Sequence, residues 1–417
     1  MKKRPIPIIA LFILFLLLLS NCSKPLDDAQ LHEKSRILHK KLFTIDTHCD
    51  TPLRMVDSEW DIGVKHDNKS YRRNKIDLPR MIEGGMDVQF FAAYVGQRER
   101  IPENYSWARK RADELIDAVL DMCEKHSNVI AFATNPKQAY RNSHNGLLTA
   151  FIGIENGFPL GKNLENIAYF YNRGTRYITL CHVTNNDICD SSTDPKGPEH
   201  HGLSEFGYKV VQEMNQLGMI IDVSHISDEA FFDVIEASKA PVIASHSCTR
   251  ALCNHPRNLS DEMILALAEN GGVLQMCFFS GYVIEEKPNT EKDAELSALN
   301  NKYGSWDDID SKETKEMYRR EYYSIQDKYL DEKASVSDLV DHIDHTVKLV
   351  GIEHVGIGTD FDGGGGLSDC NDVSEMSNVT FELIKRGYSK RDIAKIWGKN
   401  FMHVFREVIK ISERQKS

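Results

Sequence analysis

Short runs of β-branched and aliphatic residues recur along this chain, alternating with stretches whose apolar residues fall at helical spacing. Eight runs qualify as strands: residues 42–47, 88–95, 148–154, 177–181, 219–223, 241–245, 273–278 and 354–359. Helical spacing occurs between them at 108–126, 204–217, 228–238, 261–270 and 336–350. Strands that alternate with helices pair in parallel. Eight such units therefore predict an α/β fold, either a closed (β/α)8 TIM-type barrel or a large doubly wound sheet. One more apolar run, 129–134, exceeds a perfect count and is assigned to a short accessory strand.

No internal repeat and no Gly/Ser- or Pro-rich linker interrupts residues 38–410, which are read as a single domain with 22–37 as a tether. A chain of 417 residues suits one barrel if its loops are enlarged. Enlargement is visible near residues 285–333, which are strongly charged, carry several tyrosines and have little strand character. That segment reads as a helical insertion, serving either as a lid over the barrel mouth or as a solvated excursion. Apolar residues at 41% and charged residues at 27% suit a soluble globular enzyme and argue against extensive disorder.

The N-terminus has a basic Met-Lys-Lys-Arg, twelve apolar residues from Ile8 to Leu19, then Leu19-Ser20-Asn21-Cys22. The apolar run falls short of the roughly 20 residues a bilayer span needs, and a basic start with a short apolar run is the form of a signal peptide. The placement of Cys22 resembles a bacterial lipobox, although Asn21 stands where a small residue is usual. The resemblance implies removal of residues 1–21, a lipid on Cys22, and an exported lipoprotein anchored on a periplasmic or cell-surface face. An uncleaved anchor and plain secretion are the competing readings. Loss of Lys2, Lys3 and Arg4 would take the formal charge from −11 to −14, a sign that disfavours nucleic-acid partners. Eight further cysteines contain no Cys-x-x-Cys, so a cysteine zinc site has no support; buried thiols or one or two bridges are expected.

The chemistry gathers where the strands end. The first run leads into Asp46-Thr47-His48-Cys49-Asp50, the third into Glu155-Asn156-Gly157, and the fourth into Cys181-His182. The fifth leads into Ser224-His225, the sixth into His246-Ser247, and the eighth into Asp360-Phe361-Asp362. In a barrel all these ends meet at one mouth, so residues some 300 positions apart become neighbours. His48 and Asp50 are alternate residues leaving a strand and point the same way, so both can reach one cation. Imidazoles with carboxylates suit zinc, and a bridging carboxylate suits two ions roughly 3.5–4 Å apart.

These residues carry a closer resemblance. His48-x-Asp50, Gly-Ile-Glu155-Asn-Gly, Arg-Tyr-Ile-Thr-Leu-Cys-His182, Ile-Asp-Val-Ser-His225, Ser-His246-Ser, His-Pro-Arg257-Asn258 and Gly-Ile-Gly-Thr-Asp360-Phe-Asp-Gly resemble, in order, the renal (membrane) dipeptidase family, over about residues 38–405. The resemblance implies a barrel holding two Zn2+ per chain: His48 and Asp50 on one, His225 and His246 on the other, and Glu155 bridging them. It implies substrate contacts from His182, Arg257 and Asn258, a proton shuttle at Asp360, dipeptide substrates with tolerance of a C-terminal D-residue, and a homodimer. Asn156 and Cys181 depart from the family pattern, which commonly has Gly and a small polar residue there; neither change removes a ligand.

The implied reaction is peptide hydrolysis by a metal-bridging hydroxide. Asp360 would move its proton to the leaving amine, His182 would donate to the oxyanion, and the Arg257 fork would clamp the free C-terminus. Two alternatives share the pattern: a two-metal amidohydrolase acting on lactams, cyclic amides or N-acyl amino acids, and a non-catalytic binding lipoprotein. Other signals carry less. His342-x-x-His345 lies on a helix away from the mouth and is assigned to surface or packing, whereas His200, His201 and His255 fall in loops that can flank the pocket. Gly363 to Gly366 lacks the Lys-Ser/Thr of a phosphate loop and reads as a turn permitting close backbone approach. No Gly-x-Ser-x-Gly elbow is present.

Overall fold

A computed structural model describes residues 27–56, 60–66, 74–304, 306, 309, 311–329 and 332–416. The signal segment, Cys22 and most of the tether lie outside the described residues. Among the described residues nine strands form: β1 (Ile45–Asp46), β2 (Val88–Tyr94), β3 (Ile130–Phe132), β4 (Leu148–Glu155), β5 (Thr175–Thr179), β6 (Ile220–Asp222), β7 (Ile243–Ser247), β8 (Val273–Met276) and β9 (Val355–Ile357). Eight run in parallel in the order β1-β2-β4-β5-β6-β7-β8-β9, and β3 pairs only with the start of β4. The accessory strand expected at 129–134 is therefore present and sits outside the ring.

The ring closes between its first and last strands. Thr47 N donates to Ile357 O at 3.2 Å, Asp360 N to His48 O at 3.1 Å, and Asp50 N to Phe361 O at 2.9 Å. The (β/α)8 alternative is the correct one, and the open doubly wound sheet is excluded by these bonds. β1 is shorter than the expected 42–47: the Thr44 carbonyl accepts Val88 N at the start of the ladder, but its N–H goes to the Asp87 carboxylate and its hydroxyl to Gly85 O, on the loop before β2. β7 runs two residues further than expected, so His246 lies within the strand and not after it.

Serines start the outer helices. Ser204, Ser227 and Ser260 each accept the backbone N–H three residues on, and Ser335 forms a reciprocal capping box with Asp338. These caps satisfy donors that would otherwise be orphaned, and each holds a helix start just after a mouth loop or insertion. Most of the core lies between these helices and the outer face of the ring. A second cluster joins Ile45, Val88, Phe90, Phe151, Tyr177, Ile220, Ile243 and Val273, from seven strands, to Phe401 and Phe405. Residues of seven strands can meet in one cluster only inside the bore. Phe401 packs edge-on to Phe90 at 5.1 Å and Phe405 to Phe151 at 5.4 Å, so the helix Asn400–Lys416 plugs the end opposite the mouth.

The insertion is helical, as expected, with helices Thr290–Tyr303 and Lys312–Lys328. The second buries none of its residues; the pair is tied by Lys302 and Tyr303 to Glu321, both at 2.7 Å, and by Tyr318 to Asn300 at 2.8 Å. All eight cysteines after residue 26 are free and buried, which settles them as packing thiols. No described helix is long and apolar enough to cross a membrane.

Candidate metal centre and active site

The site residues arrive from six strand ends. His48 and Asp50 follow β1, Glu155 is the last residue of β4, and His182 and His225 lie three residues past β5 and β6. His246 sits within β7 and Asp360 three residues past β9. The four imidazoles converge on the Glu155 carboxylate. Its Oε2 is 3.3 Å from His48 Nε2, while its Oε1 is 3.0 Å from His225 Nε2 and 3.6 Å from both His182 and His246 Nε2. Asp50 Oδ2 and Asp360 Oδ1 approach His48 Nε2 to 3.5 and 4.0 Å. Donor atoms fall into three tight groups: His48, Glu155 and His246; Glu155, His182 and His225; and His48, Asp50 and Asp360. Glu155 belongs to two of the groups and His48 to two, which is the arrangement of adjoining cation positions sharing a carboxylate.

Several features hold these groups in place. Asn156, His225 and Asp360 adopt the left-handed backbone region, with φ of 74°, 74° and 59°. Such conformations are costly away from glycine and persist where surrounding bonds fix them. For Asn156 those bonds are visible: its amide donates to Val95 O at 2.9 Å and its oxygen accepts from Asn186 at 3.0 Å. A glycine and an asparagine suit that position for the same reason. Gly363 lies where a Cβ would come within 2.1 Å of Asp50 Oδ2 and 2.2 Å of Asp360 Oδ1. The glycine run thus does permit close approach, of the backbone to the acids. Gly153 makes room for the Tyr177 ring, whose phenol meets His48 Nδ1 at 2.9 Å. Ser245 Oγ meets His246 Nδ1 at 2.8 Å, and Asp222 accepts from Ser245.

The electrostatics favour neutral imidazoles at His182, His225 and His246 and a crowding of acids around them. Burial, reinforced by neighbouring positive groups, takes His182 down to about 3 and His225 and His246 well below their ordinary value. Burial raises Asp50, with Glu155 adding to it, and raises Asp360 well above the carboxylate range, with Asp50 adding to it. At His48 burial opposes protonation, but Tyr177, Glu155 and Asp50 outweigh it and lift its pKa. Buried His48 Nε2 and Asp50 Oδ1 have no hydrogen-bond partner. Three neutral imidazoles, mutually repelling acids and unpaired ligand atoms together fit divalent cations of the zinc type.

Arg257 is 3% exposed and reaches the same mouth. Its Nη2 donates to His246 O at 3.2 Å, its Nε has no partner, and no carboxylate pairs with it among the described residues. Its guanidinium lies 5.2 Å from the Tyr282 ring centre. Asn258 is turned to the protein: its amide donates to Cys253 O and Tyr282 O, and its oxygen accepts from Cys248 N. His342 and His345 lie away from the centre, bonded to Thr249 and Val283 and to Asp261. His255 packs on Tyr282, 4.7 Å between rings, at the pocket edge. Sequence reasoning passed over Tyr177, Asp222, Ser245, Gly153 and Asp46, although Asp46 and Asp222 both stand at the end of an apolar run beside a ligand.

The family model described as membrane dipeptidase (peptidase family M19) matches residues 32–417. The chain belongs to the membrane dipeptidase family. Among its relatives, dipeptidase tcpJ of Claviceps purpurea is 31% identical over 346 residues, spanning 82% of this chain and 71% of that protein. Dipeptidase 3 of Mus musculus is 28% identical over 399 residues, spanning 93% of this chain and 69% of its own. The crystal structure of the probable dipeptidase PvdM from Pseudomonas aeruginosa superposes with a TM-score of 0.79 at 31% identity, covering 92% of this chain and 99% of that one. This membrane dipeptidase family member is thus a metal-dependent peptide-bond hydrolase on a TIM-type barrel.

Proposed function

We propose that the chain is a zinc dipeptidase using two ions, with His48 and Asp50 on one, His225 and His246 on the other, and Glu155 shared. The observation that carries this reading is the convergence of four imidazole Nε2 atoms on one buried carboxylate, within 3.0–3.6 Å. When bound, the ions supply Lewis acidity to the scissile carbonyl and acidify water at neutral pH. Arg257, whose Nε has no partner and which pairs with no carboxylate among the described residues, holds the substrate's C-terminal carboxylate, which limits the substrate to a residue on either side of the scissile bond. Asn258 acts through the loop that carries Arg257. His182, neutral and facing Glu155, donates to the oxygen that gains charge. Asp360 takes a proton from water and passes it to the leaving amine, a role that its place at the edge of the cluster supports, its Oδ1 4.0 Å from His48 Nε2.

The test is elemental analysis of never-stripped protein alongside hydrolysis of L,L and L,D dipeptides, lactams and N-acyl amino acids, before and after chelation. Two zinc ions per chain with chelator-sensitive dipeptide cleavage support the reading. Cleavage confined to lactams or N-acyl substrates, or binding without cleavage, replaces it. The proposal extends to the N-terminus: a lipid on Cys22 anchors the domain outside the cytoplasm. Intact mass of membrane-extracted protein checks that, and an unmodified Cys22 refutes it.

A further inference from the structure

Asp222 is fully buried at the last position of β6, and the two neighbouring strands, together with the chain just past β6, deliver hydrogens to it. Thr179 Oγ1 from β5 donates to its Oδ2 at 2.5 Å, and Ser245 Oγ from β7 donates to the same oxygen at 2.6 Å. Its Oδ1 accepts the backbone N–H of Ser224 at 3.1 Å and of Ser245 at 2.8 Å. Four donors on one carboxylate leave it acting purely as an acceptor. Ser245 has a single hydroxyl hydrogen, and Asp222 takes it. Its contact to His246 Nδ1 at 2.8 Å must then run the opposite way, with Nδ1–H donating to Oγ, and Ser224 Oγ, at 3.4 Å, can only donate to it. A neutral imidazole protonated on Nδ1 carries its lone pair on Nε2, the atom that faces Glu155 and His225.

From this we infer that Asp222 and Ser245 are positioning residues that fix the tautomer of His246, presenting Nε2 as a ligand before any cation arrives. The relay runs from imidazole through hydroxyl to carboxylate. It sits one strand away from His225, whose buried Nδ1 has no partner, so the two imidazoles assigned to one cation are held unequally. His246 is the pre-set member of the pair. An equivalent clamp recurs where β9 meets β1: Asp46 accepts from Thr359 N at 2.8 Å and Thr359 Oγ1 at 2.7 Å, just before Asp360. There the threonine hydroxyl is not bonded to an imidazole, so the clamp alone shapes the strand ends, and the imidazole contact at Ser245 is a separate feature. The inference rests on the metal centre proposed above.

The experiment uses Ser245→Ala, which removes the hydroxyl but leaves the backbone bond from residue 245 to Asp222. Zinc is titrated into metal-free protein under a competing chelator, and imidazole nitrogen shifts are read with 15N-histidine labelling. Partners that orient a metal-binding histidine typically contribute 10- to 100-fold in metal affinity. Wild-type protein should hold two ions, with His246 protonated on Nδ1 in the metal-free state. Ser245→Ala should bind one of the two ions about 10-fold or more weakly, with His246 distributed between tautomers. Asp222→Asn supplies a second arm: an amide hydrogen facing Ser245 turns its hydroxyl toward Nδ1, so the Nε2–H form should dominate. If wild-type protein binds two ions and Ser245→Ala binds both equally well, the inference fails while the centre stands. If wild-type protein binds none, the centre fails and the inference with it.

Discussion

Replacing Gly363 by alanine probes the centre without replacing any proposed ligand. A methyl group at that position would stand 2.1 Å from Asp50 Oδ2 and 2.2 Å from Asp360 Oδ1, whereas ordinary contact begins near 3.4 Å. Each oxygen must then retreat by a little over 1 Å, or the turn itself must shift. Gly363 is not among the residues with positive φ, so alanine meets no backbone penalty and the effect should fall on the two acids. Displacing a catalytic group by about 1 Å costs on the order of 10²-fold in rate, or about 2.7 kcal/mol in the barrier. The expected outcome is a loss of about 10²-fold in kcat/KM for a dipeptide, with weaker retention of one ion against a chelator and an unchanged metal-free fold by circular dichroism. Wild-type kcat/KM together with full metal retention would show that the reaction does not need Asp50 and Asp360 where the structure places them.

Arg257→Lys should raise KM for dipeptides by about 10- to 100-fold, the loss of a charged fork contact, with little change in zinc content; unchanged kinetics would remove the clamp. Asp360→Asn should lower kcat by about 10²- to 10⁴-fold with metal content intact, and a wild-type turnover would assign the proton transfer elsewhere. Burial holds His39 at about 4 against an ordinary 6.5, so the unfolded chain takes up a proton that the native chain refuses. Its contribution is complete above pH 6.5 and is lost as pH falls toward 4, by at most about 3 kcal/mol. Urea unfolding of metal-free protein at pH 7 and 4.5 measures this, and His39→Gln should narrow the difference.

Strand ends were legible because each proposed ligand follows an apolar run, and a barrel gathers all such ends whatever their separation in the chain. The exceptions are instructive. Residues 42–44 look like strand, but Thr44 is drawn to Asp87, a partner that no local pattern announces. Asp46 and Asp222 were hidden because a carboxylate closing a strand also reads as the start of a loop; their work is across strands, to Thr359 and to Ser245. Tyr177 looked like one more apolar strand residue. Its phenol matters only because Gly153, on the adjacent strand, leaves space for the ring to lie in the bore and reach His48. Asn258 shows the converse: the family resemblance implies a substrate contact, yet the turn directs its amide into the protein. Pairings of this kind depend on register between distant strands, which a single sequence does not display.

The aromatic stopper formed by Phe401 and Phe405 against Phe90 and Phe151 makes the catalytic chamber a blind alley. Both freed amino acids must back out by the way the intact molecule came in, so departure and arrival take turns at one doorway. A fragment that keeps its carboxylate can linger on Arg257 and delay the next visitor. Turnover in a closed vessel should accordingly slow sooner than depletion of starting material explains, and added free amino acid should reproduce that slowing from the first minute.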